Sequence, residues 1–422
     1  MKQRNFILII LSVSFLYGCH FSQDQIPADK ITSINIIDRN GMSETINTKE
    51  RLNAFDQTDF LSPQPYQKVM RVYGKQPNGD VRSSITSYHP NGQVKQLLEA
   101  VNNRAHGMYK EWYPNGALKV EAHIIGGIAD INTQAEQSWL FDGVNRAWDE
   151  DGRLIAEIPY EKGILQGDSL YFHSNGQLWK TCPYHKNQLH GNVKTFLEDG
   201  SLFQTLCYQE GQKDGSSIRF WEGASIAFQE SYKKGFLIEA RYYDREGNTV
   251  ASIQNGKGFR AVFGKNELLE LQEYTDGVQA GSVKLFDGQQ HLAALYFMKN
   301  GEKSGEESHF YPRSKQPKLL LTWHDGVLQG PMKTWYANGQ LESQREMSDN
   351  VKHGFLSAWY RNGSLMLVEE YDHDQLIKGE YYRMGERTPV SQIDKGKGIA
   401  TLFNPEGHFS RKVPYQDGKP IE

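Results

Sequence analysis

The feature that most constrains this chain is a pattern that returns every two dozen residues. It is clearest at 330–365, GPMKTWYANGQLESQREMSDNVKHGFLSAWYRNGSL. Gly330 is followed at +5 by Trp335, at +9 by Gly339 of an Asn-Gly pair and at +11 by Leu341. Gly354 repeats this 24 residues later with Trp359, Gly363 and Leu365. Two short runs around Asn-Gly read as a β-hairpin, because Asn and Gly accept the positive φ angles of a tight turn at little cost. A lone hairpin is marginal in water, so successive hairpins must stack on one another.

The opening glycines form a series: Gly107, Gly143, Gly167, Gly191, Gly215, then Glu239 in the glycine's place, Gly258, Gly281, Gly305, Gly330, Gly354, Gly379 and Gly398. That makes thirteen units, mostly 23–25 residues apart, with 19-residue steps before Gly258 and Gly398. An aromatic stands at +5 in eleven of them: Trp112, Trp148, Phe172, Phe196, Phe220, Phe263, Phe286, Phe310, Trp335, Trp359 and Phe403. The units at Glu239 and Gly379 depart, with Tyr243, Tyr381 and Tyr382 out of register. A second column follows the turn: Tyr160, Tyr184, Tyr208, Tyr232, Tyr371 and Tyr415. Two strands per unit at ~4.8 Å spacing predict about 26 strands. Strand alternation places the +5 row on one face as a stacked seam, with Lys, Glu, Gln, Ser and Thr opposite. The predicted fold is all-β: an elongated, twisted, single-layer antiparallel meander of stacked hairpins over 81–422. Glycine at 40 of 422 residues and 12% aromatics suit such a turn-rich sheet. A formal net charge of −4 with both signs mixed gives no concentrated basic face for nucleic acid.

The motif Gly-x-x-x-x-Trp-Tyr-x-Asn-Gly-x-Leu resembles the membrane occupation and recognition nexus (MORN) repeat in its bacterial variant form, over roughly residues 80–420. The resemblance implies a meander of hairpins and a binding or scaffolding role. Some bacterial members carry an antitoxin label, and others are enzymes through an added catalytic domain, for which no residues are left over here.

The N-terminus reads separately. Residues 1–18 have Lys2 and Arg4 ahead of an apolar run from Phe6 to Phe15. That run is too short for a spanning helix, which needs roughly 20 residues, and fits a secretory signal. Leu16-Tyr17-Gly18-Cys19 resembles the bacterial lipobox, although Tyr17 is larger than is usual there. The resemblance implies cleavage before Cys19 and acylation of its thiol. The alternative is an ordinary signal or membrane anchor with an incidental cysteine. His20 rather than Asp after the cysteine implies the outer membrane over the inner. Two or more acyl chains hold a protein stably at a membrane, and 19–30 reads as the lipidated tether. Residues 31–80 read as an N-terminal cap: a hairpin about Asn40-Gly41, then a short helix opened by a capping box at Thr48. One unit is long, with an insertion near 129–140. Thr133-Gln134-Ala135-Glu136 reads there as a capping box on a short helix, either part of a binding face or a lid over Trp139.

Residues that invite a chemical reading are expected to be structural. His106 and His190 lie about three hairpins apart and cannot share an ion, so with His353 they read as turn positions. Gly256-Lys257-Gly258 and Gly396-Lys397-Gly398 lack the rest of a phosphate loop. Cys182 and Cys207 fall on equivalent strands ~9–10 Å apart, beyond disulfide reach, and are expected as free, largely buried thiols. The pairs Glu306-Glu307 and Glu369-Glu370 point to opposite faces and read as edge-solubilising charges rather than acid/base dyads. No catalytic, cofactor or metal residues are expected.

The expected function is that of a lipid-anchored bacterial cell-envelope protein that binds or scaffolds without catalysis. Its partners would be the membrane through Cys19 and a protein or envelope component. The alternative is an antitoxin-like protein that neutralises a protein partner. A third reading, an enzyme on envelope glycans, needs clustered acids and bases that the spacing does not supply.

Overall fold

The computed structural model describes residues 26, 30–55 and 58–421. The expected signal segment and Cys19 lie outside them. The chain divides into two units, Met1–Ile164 and Leu165–Glu422. Each is an antiparallel meander of hairpins in which strands pair with their sequence neighbours.

In the first unit, Ile31–Asp38 pairs on one side with Ser43–Ile46 and on the other with Gln67–Lys75. The hairpin turns at Gly41, with φ 84°. Ile34, Ile46, Met70 and Val72 form a core with Tyr88 and Val94 of the first hairpin, and Leu52 and Phe55 pack against it. The helix Lys49–Leu52 is present, but Thr48 makes no side-chain capping bond. The position that should reciprocate is Arg51, which instead pairs with Glu44 at 2.6 Å. In the insertion, the helix Thr133–Glu136 is capped by Asn132, which accepts from the Ala135 amide at 2.9 Å. The expected box is thus one residue out. Glu136, freed from capping, accepts from Gln96. The insertion covers Trp139, which is 7% exposed and 4.8 Å from the Tyr109 ring.

In the repeats the Asn-Gly turns do not take the two-residue, positive-φ form expected of them. At 336–340, Tyr336 N–H donates to Gln340 O and Gly339 N–H to Tyr336 O; Gly339 has φ 90°, while Asn338 does not take positive φ. This is a type I turn closed by a glycine bulge, not a two-residue turn. Asparagine is used for its side chain. Asn338 Oδ1 accepts from the Gln340 amide, and Nδ2 donates to Arg361 O in the next unit. Turns with two positive φ angles lie on the other edge, as at Asp349 (51°) and Asn350 (68°). The strand breaks at the residue before the opening glycine: His190 separates Gln188–Leu189 from Gly191–Phe196, and Gly191 resumes the strand with φ 112°. One expected strand is therefore seen as two segments. Glu239 and Gly379 lie in extended backbone without positive φ, which explains why glutamate is tolerated at the first.

The 19-residue steps have a structural meaning within the second unit. Leu237 N–H donates to Gly277 O, Gly277 N–H to Gly256 O, and Gly256 N–H to Ile238 O, closing three turns into a ring. Leu376, Gly418, Gly396 and Ile377 repeat the same ring. A Cβ on Gly256 would lie 2.6 Å from Gly277 N, and one on Gly396 would lie 2.5 Å from Gly418 N. Only glycine allows backbones so close.

Candidate functional site

Strand pairing decides which side chains share a face. Gly354 pairs with Tyr371, so Tyr371 shares the side of Leu356 and Ala358, and Trp359 lies on the other. The two aromatic columns therefore occupy opposite faces. The deeply buried column is at +2, on the Tyr371 side: in the second unit Ser169, Val193, Ser217, Val283, Glu307 and Ala400 are all 5% exposed or less. The +5 row is half-buried apart from Phe263, which is buried against Trp221 at 4.8 Å and Tyr242 at 6.4 Å. Among the described residues of each unit, no ring contact joins two successive members, because one strand always intervenes; the expected stacked seam is a row of separated rings. In the first unit, Trp112 and Trp148 flank a groove of about 430 Å³ with Lys110, Leu118 and Glu121.

The residue after the row was not singled out in the sequence, yet it ties unit to unit. Tyr311, Tyr336 and Tyr360 each donate a hydroxyl to a backbone carbonyl one unit on, at Trp335 (2.6 Å), Trp359 (2.8 Å) and Tyr382 (2.6 Å). In the first unit, Tyr113 does the same to Trp148 O and His89 to Trp112 O. The signal was available: an aromatic or histidine recurs at +6.

A groove of about 670 Å³ lies in the second unit. Trp179 stands at the bulge between the pairs Phe172–Leu178 and Tyr171–Lys180 and is 45% exposed. Its ring meets Tyr171 edge-on at 6.4 Å and His173 at 6.2 Å. Phe203 takes the same bulge position one unit later and also lines the groove. The Arg219 guanidinium lies 4.8 Å from the Phe203 ring and donates to Phe263 O and Gly264 O; burial draws its pKa down. At the rim, Lys265 pairs with Glu222 at 3.2 Å. The polar groups in the wall already have structural work: His173 Nε2 bonds to Phe196 O at 3.0 Å, and Asp199 accepts from Ser201, which holds its carboxyl below the usual range. The arrangement offers aromatic rings among polar and acidic side chains, a mixed surface suited to holding a ligand.

The carboxylate pairs do put one member on each face, but the inward one is buried, so solubilising an edge does not describe it. Glu307 accepts from Lys303 (2.6 Å), His309 (2.8 Å) and Trp323 Nε1 (2.8 Å). Burial works to raise its pKa, but these donors outweigh burial and bring it down. Glu369 accepts from Tyr371 (2.9 Å) and Tyr381 (2.8 Å). Glu230, which the sequence reading passed over, accepts from Tyr232, Tyr242 and Arg260 at 2.7–3.0 Å.

Cys182 and Cys207 are free thiols, the first buried and the second half-buried; burial pushes the Cys182 thiol up. The three histidines before unit glycines are not the turn positions expected: His106 and His353 lie within strands, and His190 sits at the break between two strand segments, because the chain reverses several residues earlier. Each meets another imidazole: His106 with His123 at 6.5 Å, His190 with His185 at 5.8 Å, and His353 with His373 at 4.9 Å.

A family model described as "MORN repeat variant" matches residues 105–125, 165–186 and 328–349, the units about Gly107, Gly167 and Gly330. A search of curated proteins found no match. Among solved structures, a chain described as "Crystal structure of the eukaryotic initiation factor" is 11% identical, covering 93% of this chain and 97% of that one, with a TM-score of 0.23. That similarity is too low to bear on fold or function. The chain carries MORN-variant repeats at three sites, and such repeats are generally binding or scaffold modules.

Proposed function

We propose that this chain is a non-catalytic binding module, held at a bacterial cell envelope by a lipidated Cys19, and that its second unit takes a protein or envelope component into the Trp179 groove. The observation that carries the reading is Trp179 itself. It is a large aromatic, 45% exposed, beside Tyr171, His173 and Phe203, where neighbouring polar groups are committed to holding the sheet. Exposed aromatics in such a setting mark contact surfaces. The lipobox resemblance at 16–19 supports the anchor.

A photo-crosslinking residue placed at Trp179 in envelope-resident protein should capture a neighbour that the same residue at exposed Glu246 does not. Equal capture at both positions overturns the groove. Palmitate labelling lost in Cys19→Ala supports the anchor. A protein found in the cytosol without label overturns it and favours the antitoxin-like alternative.

A further inference from the structure

We infer that His353, Asp372 and His373 form a binding site for a divalent transition-metal ion of the zinc class. This does not rest on the Trp179 groove. One ligand atom from each residue lies within 4.8 Å of the other two. Asp372 Oδ1 is 2.6 Å from His373 Nδ1 and 3.3 Å from His353 Nδ1, so one carboxylate oxygen sits between two imidazoles. Zinc bonds to nitrogen and oxygen are roughly 2.0–2.2 Å, which sets tetrahedral ligand edges near 3.4 Å. The His353–Asp372 edge already fits, the Asp372–His373 edge must open by about 0.8 Å, and the two imidazole nitrogens must close by at most about 1.4 Å, which torsional adjustment of three exposed side chains supplies.

The backbone that carries them is already set. His353 lies in the strand Val351–Trp359, and Asp372 ends the strand Leu365–Asp372 that pairs with it. His373 occupies the following turn with φ 46°. Two bonds lock that turn to the neighbouring strand: Asp374 N–H donates to Lys352 O at 2.9 Å, and Lys352 N–H to Asp374 Oδ1 at 2.8 Å. The Lys352 ammonium is drawn 3.9 Å from the centre of the Tyr371 ring.

Ligand chemistry selects the ion. Two imidazoles and one carboxylate suit zinc, nickel or copper, whereas calcium and magnesium ask for shells made largely of oxygen. Three protein ligands leave a fourth position for water or for a group on another molecule. The chain contains its own control. At the other ring of turns, the equivalent places hold Asp214, Lys233 and Lys234, where the backbone is alike but a lone carboxylate stands with two lysines and both imidazoles are gone.

The test is calorimetric titration of ZnCl₂ into the full chain, purified in detergent and stripped with chelator. Co²⁺ loading is followed in parallel by its visible absorption. One equivalent is expected to bind, with a tetrahedral cobalt spectrum. His353→Gln and His373→Gln should each weaken binding on the order of 100-fold or more, and His190→Gln should leave it unchanged. All three histidines are on the surface, and unchanged circular dichroism will show that the variants fold. No stoichiometric binding, or binding that persists in His353→Gln and His373→Gln, overturns the site.

Discussion

The two rings of turns in the second unit are built alike and charged differently. Around the first, Glu230 accepts from Tyr232 and Tyr242; around the second, Glu369 accepts from Tyr371 and Tyr381 at the same sequence offsets. Leu237 matches Leu376, Ile253 matches Ile393, and Lys213 over Tyr232 matches Lys352 over Tyr371. The arginine differs. Arg260 reaches Glu230 at 3.0 Å, but its counterpart two residues past the opening glycine is Ala400. Burial opposes the charge on Arg260, yet Glu230 and the surrounding tyrosines outweigh it, so its pKa is raised. Glu369 has no ion pair among the described residues; Arg345 acts on Tyr371 from two strands away. Two phenol donors are thus the shared requirement for burying the carboxylate, and the cation is an addition.

This comparison sets the largest expected effect. Glu230→Gln leaves a half-buried guanidinium without its carboxylate and should cost about 3 kcal/mol, whereas Glu369→Gln weakens two hydroxyl bonds and should cost about 1–3 kcal/mol. The readout must be local, because stacked repeats need not unfold as one. Hydrogen exchange at the Gly256 and Gly277 amides reports the first ring, and exchange at Gly396 and Gly418 the second. Equal losses would mean that Arg260 contributes nothing specific. Leu237→Ala and Leu376→Ala test the likeness rather than the difference. Both leucines are 1% exposed or less, and both changes should cost about 2–5 kcal/mol, matched within each other's error. A large disparity there would dissolve the equivalence.

Much of this was legible from spacing alone. The opening glycines, the 19-residue steps and the displaced aromatics at Glu239 and Gly379 all mark real changes in backbone path. What the steps build was not legible, since a ring closes through hydrogen bonds between residues 18 to 42 apart. Nor was the inward fate of Glu307 and Glu369: alternation says that one of two adjacent glutamates points in, but not that tyrosine or tryptophan donors await it. Asn338 was recognised as a turn residue for the wrong reason, because sequence does not distinguish an asparagine chosen for positive φ from one chosen for its amide. The pairing of His353 with His373 was hidden by treating histidines as isolated units along the array, when the turn after the second strand folds back beside the opening glycine of its own unit.

Glu307 extends the comparison to a carboxylate outside both rings, held by a lysine, a histidine and an indole. Its folded pKa lies below 4.5, its ordinary value. A depressed carboxylate contributes stability that is fully present above the unfolded pKa and is lost as pH falls through the folded one. Glu307→Gln should therefore lower stability by about 1–3 kcal/mol at neutral pH. The gap from the parent should narrow below about pH 4.5. Local exchange around Trp323 measured from pH 7 to pH 3 checks this. A gap constant with pH would place the effect in shape rather than charge.

The smallest effect concerns how each ring is tied to the unit before it. Tyr360 donates to Tyr382 O at 2.6 Å, and Trp221 donates to Tyr243 O at 3.2 Å from the matching position. Tyr360 is wholly buried, so Tyr360→Phe removes one hydroxyl from a tight site without changing the ring that fills it. A net cost of about 1 kcal/mol is expected. It should appear as faster exchange at the Tyr382 amide, which donates to Met366 O, with the Gly396 and Gly418 amides unaffected. If those amides quicken too, the hydroxyl supports the ring itself. The two structures compared above would then differ in their anchoring as well as in their charge.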